Sequence, residues 1–92
     1  MLPIQGFATG VLAEIVRRQP ASNARTAFAW QLAVGPALAR ATTVELDEAG
    51  VLKVTPRDRR WTREIRRSAG VILPRLQQLL GREAVRQIVV GR

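Results

Sequence analysis

Trp61, Ile65, Ser68, Ile72, Leu76 and Leu79 follow one another at steps of three and four, which places them on a single face of a helix. No other apolar helical stripe in the chain is as long, so the remaining elements must find their buried surface against this one. Ninety-two residues bury only roughly 60 to 70% of their unfolded surface and cannot divide it between two cores, so one domain over residues 1–92 is expected. The apolar 47% of the chain is spread along it and can offset the entropy of ordering it.

Pro74 interrupts the stripe and lacks the amide that would bond the carbonyl of Gly70. The spacing therefore predicts either a kink or two helices meeting near Ser68 to Val71. Asp58 is placed to cap this segment at its start, and Gly81 to end it.

Before it the period changes from helical to alternating. Thr42, Val44 and Leu46 alternate with Thr43, Glu45 and Asp47. After the turn signal Glu48-Ala49-Gly50, Val51 to Thr55 alternate again up to Pro56, the pattern of a β-hairpin. Two helical segments precede the hairpin. The first carries Phe7, Val11, Leu12 and Ile15 and ends at Arg17, Arg18 and Pro20. The second begins at a cap on Ser22 or Asn23 and presents Ala24, Ala27, Phe28, Trp30, Ala33 and Val34 up to the Gly35-Pro36 break, with a last turn over Ala37 to Arg40. Val85 to Val90 reads as a final strand. The expected fold is α+β, in the order α-α-β-β-α(α)-β, with no internal repeat, linker or low-complexity stretch.

The composition narrows the chemistry. With no histidine and no cysteine, the usual general base, thiol nucleophile and soft metal ligands are missing, so no enzyme, metal site or cofactor is expected. Glu45, Asp47 and Glu48 form the one acidic cluster, and alternation makes it a solvated hairpin tip rather than a hard-metal site. There is no phosphate-binding glycine loop and no nucleophile elbow. The absence of disulfides, of a signal pattern and of any membrane-spanning run predicts a soluble, cytoplasmic protein.

Fifteen basic residues against seven acidic ones give a net charge of +8, which predicts a polyanionic partner. Arginine outnumbers lysine fourteen to one, a bias that GC-rich codons also produce, so the argument rests on charge rather than on arginine identity. Half of that charge lies between Arg57 and Arg67, where six arginines and two acids give a local +4. On a helix Arg59, Arg63, Arg66 and Arg67 share an exposed flank opposite Trp61 and Ile65, a ridge able to bond phosphate oxygens. The candidate nucleic-acid contacts are therefore Arg57, Arg59, Arg60, Arg63, Arg66 and Arg67, extended by Lys53 on the outward side of the hairpin.

The competing reading is a merely solvated helix face, its arginines paired locally with Asp58 and Glu64. Against it stands density, because six like charges in three turns repel one another. Trp30 and Trp61 lie in apolar stripes and are expected in the core rather than stacked on bases. The stripe is also needed to cover the hairpin, which disfavours a membrane-surface helix.

The ordered set Trp30, Val34-Gly35, Leu38-Ala39, Thr42, Gly50-Val51-Leu52-Lys53-Val54, Trp61, Glu64-Ile65, Arg75-Leu76, Leu79, Gly81, Val85 and Ile88 resembles the bacterial DciA-type domain, from about Phe7 to Gly91. The resemblance implies a KH-like fold, about three strands covered by helices on one face. It also implies a part in loading the replicative helicase, with DNA (or alternatively RNA) and the helicase as partners. The chain departs from the family at Ala41, where histidine is frequent, and at Gln77, where asparagine is. It also lacks the Gly-x-x-Gly loop with which KH domains clamp a nucleic-acid backbone, so arginines would have to replace that clamp. The expected function is a non-catalytic nucleic-acid-binding accessory of DNA replication. The alternative is a protein-interaction module that docks on the helicase or another acidic partner, with incidental DNA affinity.

Overall fold

The computed structural model describes residues 14–16 and 18–91. Phe7, Val11, Leu12 and Arg17 of the expected first helix lie outside the described residues. At its end Glu14, Ile15, Val16 and Arg18 are helical, and Val16 is the fully buried residue while Ile15 is exposed.

Helix α1 spans Asn23–Val34 and is capped by Ser22, whose Oγ accepts the Arg25 N–H at 3.1 Å. Its buried face is Thr26, Ala29, Trp30 and Ala33, whereas the expected Ala24 and Ala27 are exposed. Alanine fits either side of a helix, so the large Trp30 sets the rotation and its i−4, i−1 and i+3 neighbours follow it inward. Gly35, at φ 92°, takes a left-handed turn closed to most side chains, and the chain re-enters helix α2, Pro36–Arg40, with proline in the first turn where its missing amide is harmless.

The hairpin forms as its alternation requires. Strand β1, Thr42–Leu46, pairs antiparallel with β2, Val51–Pro56, with Val44 opposite Val54 and Glu45 opposite Lys53. Asp47 shapes the turn, its Oδ1 accepting the Ala49 and Val51 N–H groups, each at 2.9 Å.

Helix α3 runs from Arg59 to Leu80. It is one continuous helix through Pro74, and the expected alternative of two helices is not realised. Gly70 and Pro74 are both exposed, so the carbonyl that loses its partner faces water and the helix need not break to satisfy it. Its inner side is Ile65, Ile72, Leu76, Leu79 and Leu80, with Trp61 half-buried above them. Strand β3, Gln87–Val90, then pairs parallel with β2, with Leu52 beside Ile88. The strand starts two residues later than expected. Residues 82–84 form a turn, and the fully buried Val85 gives its carbonyl to the Gln77 Nε2–H at 3.1 Å instead of to a ladder.

The sheet order is β1-β2-β3. Leu52 and Val54 of the central strand meet Ala29, Trp30 and Ala33 of α1 and Ile65, Ile72 and Leu76 of α3 in one buried cluster. Both long helices therefore lie on the same face of the sheet, the arrangement expected of a KH-like fold. The other face carries Thr43, Glu45, Lys53, Thr55, Gln87 and Val89, all exposed. Among the described residues no helix is long and apolar enough to cross a membrane.

Candidate nucleic-acid interface

The arginine segment occupies the approach to α3 and its first half. Asp58 holds the helix start, its Oδ1 accepting the Arg60 N–H at 3.0 Å, and it also ion-pairs the Arg60 guanidinium at 3.2 Å. The backbone N–H of Arg60, helped by its side chain, holds the Asp58 carboxyl below its ordinary value of 3.8. Asp58 thus stays ionised wherever nucleic acid is stable.

Arg60 is in consequence the one candidate already engaged with an acid. The ion pairs among the described residues are Arg60–Asp58 and Arg18–Glu14, so Arg57, Arg59, Arg63, Arg66 and Arg67 have none, and Glu64 makes no ion pair with its neighbours. All six arginines are exposed.

Two shallow depressions join them. Arg59, Thr62, Arg63 and Arg66 line one of about 380 Å³, and Thr55, Pro56, Arg57, Asp58 and Arg59 line another of about 410 Å³. Arg59 belongs to both, so a cationic track runs from Arg57 through Arg59 to Arg63 and Arg66. Arg67 stands one turn beyond Arg63, at the side of the track. Lys53 projects from the open face of the sheet, away from the helices, in a polar depression with Glu45 and Thr55. It reaches the track only through Thr55, which lines the depression on each side.

Thr62 is a residue that the sequence reasoning passed over. Its Oγ1 is the buried side-chain polar atom without a hydrogen-bond partner among the described residues, and the residue lines the depression with Arg59, Arg63 and Arg66. A helical threonine ordinarily bonds the carbonyl one turn back, so nothing in the sequence marks this hydroxyl as unsatisfied.

The placement of the charge along α3 is informative in itself. Backbone dipoles make a helix N-terminus positive, so arginines in the first turn oppose them and carboxylates would favour them. Here the first turn holds Arg59 and Arg60 and no acid, while the last turn, where cations would stabilise, holds no basic residue. Of the six arginines Arg59 and Arg60 stand in that first turn, beside an N-cap that the Asp58 carboxylate already occupies, and Arg63, Arg66 and Arg67 carry the charge on along the next turns.

The aromatic residues are placed differently. Trp30 is 2% exposed and donates its indole N–H to Thr42 Oγ1 at 2.8 Å, so it offers no face to a base, whereas Trp61 is half-buried against the core. The open sheet face carries no aromatic residue. Among the described residues no group of three or more histidines, cysteines or carboxylates could hold a metal ion.

A family model described as Dna[CI] antecedent, DciA, matches residues 6–90. No curated protein matches the chain, and no solved structure does.

Proposed function

The chain belongs to the DciA family, which is tied to replicative-helicase loading in bacterial DNA replication, and from that premise we propose that it is a non-catalytic accessory that grips nucleic-acid phosphates through the arginine track of α3. The observation that carries this reading is the run of exposed charge over the start and first half of α3, where Arg57, Arg59, Arg63, Arg66 and Arg67 have no acidic ion-pair partner among the described residues and Arg59 also opposes the helix dipole in the first turn. A solvated face selected only for solubility has no reason to collect them there.

Binding of this kind is electrostatic and nearly blind to sequence. Guanidinium groups bond phosphate oxygens and condensed counterions are released, and no base is read, because the two depressions along the track are lined by arginines and small side chains, with no aromatic residue among them. DNA is the polyanion that a replication family supplies. Arg59, Arg63 and Arg66 carry the centre of the contact, Arg57 and Arg67 extend it, and Arg60 contributes less because Asp58 competes for it.

A salt-resolved titration with a short fluorescent DNA tests the proposal. If about four phosphates are neutralised, log affinity falls against log salt with a slope of roughly −3 to −4, and Arg59→Ala/Arg63→Ala/Arg66→Ala lowers both affinity and slope while the fold is unchanged. A salt-independent affinity, or a triple variant that binds like the parent, sinks it.

A further inference from the structure

A second surface lies apart from the arginine track. Asn23, Ala27 and Gln31 on the exposed side of α1, Ala39 and Arg40 of α2, and Val44 of β1 surround a groove of about 420 Å³ floored by Trp30. Small and apolar side chains dominate it.

One wall of this groove is an unpaired strand edge. Strand β1 is terminal in the sheet. The Asp47 N–H bonds the Val51 carbonyl at 3.1 Å and the Arg57 N–H bonds the Ala41 carbonyl at 2.8 Å, which fixes the odd-numbered positions of β1 as those bonded to β2. The N–H and C=O groups of Val44 and Leu46 therefore point away from β2. Val44 presents them beside the groove. Neither a proline nor an inward-pointing charge blunts this edge, the usual protections against strand addition.

We propose that this groove receives an extended segment of a partner protein, which pairs with β1 as a fourth strand, lays an apolar side chain between Ala27 and Ala39 and sets an acidic residue against Arg40. Main-chain bonds supply affinity and the groove supplies selectivity. The acidic residue follows from charge. Arg40 is the only charged residue lining the groove and has no ion pair among the described residues, and the whole chain carries +8. A nucleic acid fits the groove less well, because one cation cannot balance a run of phosphates and the floor indole is 2% exposed and unable to stack. The inference stands independently of the arginine track.

The probe is a phage-displayed library of random short peptides selected against the full chain, with the most enriched peptide titrated into isotope-labelled protein. The expected sequences place an apolar residue near Asp or Glu, and binding shifts the Val44 and Leu46 amides and the Trp30 indole N–H. Val44→Pro removes an outward N–H without breaking a β1–β2 bond, and Ala27→Arg fills the groove from an exposed position. Each is expected to weaken binding by about tenfold or more, while Arg63→Ala leaves it unchanged. Should Val44→Pro lose its dispersed spectrum, Ala27→Arg carries the comparison. The proposal is overturned if the library yields no enrichment, if enriched peptides shift α3 alone, or if a single-stranded DNA moves the β1 amides in place of a peptide.

Discussion

At the scale of the residue, Thr42 joins three elements. Its hydroxyl accepts the Trp30 indole N–H at 2.8 Å and donates to the Leu38 carbonyl at 2.9 Å, so strand β1, the core tryptophan and helix α2 share one polar atom in a buried position. Thr42→Val keeps the shape and strands the buried Trp30 indole N–H, while the Leu38 carbonyl keeps the Ala41 N–H at 3.1 Å, and the change is expected to destabilise the protein by about 1–3 kcal/mol in urea unfolding, with Thr42→Ser recovering most of the loss. The tryptophan could be assigned to the core from its spacing, whereas its acceptor could not, because that bond depends on how α1 crosses the hairpin. Thr62 was hidden for the same reason. Its buried hydroxyl has no partner among the described residues, and a threonine in a helix carries no sign of that.

At the scale of the element, a glycine inside α3 and one in the hairpin turn behave oppositely. Gly70 lies exposed within α3 with open space where a Cβ would stand, so Gly70→Ala is expected to raise stability by about 0.5–1 kcal/mol, read as a higher thermal midpoint. Gly50, at φ 86°, faces Arg86 Cγ at 2.9 Å from the same notional atom and tolerates no such change. Elements with strong internal periodicity were legible in the sequence. The α3 stripe, the hairpin alternation, the Ser22 and Asp58 caps and the Gly35-Pro36 break all appear where spacing and side-chain chemistry put them. The rotation of α1 was not legible, since its alanines suit either face. The passage of α3 through Pro74 was not either, since it depends on Gly70 and Pro74 both facing solvent. Nor could alternation alone show that Lys53 and the α3 ridge leave the sheet on opposite sides, with Thr55 between them.

At the scale of the whole molecule, charge and folding respond to salt in opposite directions. Unpaired arginines on a body of net charge +8 repel one another, so raising ionic strength is expected to increase the thermal midpoint while it weakens DNA binding. The two trends, measured over one salt series, separate loss of the partner from loss of the fold. The same scale shows why the last strand is the most dependent part of the design. No turn joins β3 to β2, and the whole of α3 lies between each pair of partners in the parallel ladder. The hairpin therefore closes through near neighbours in sequence, whereas pairing of β3 closes a loop that contains all of α3 and carries the larger entropic cost. That crossover is expected to set the pace of folding, with the sheet edge farthest from β1 closing last, so that Val85→Ala should slow the gain of β3 amide protection in pulse-labelled refolding more than that of the hairpin.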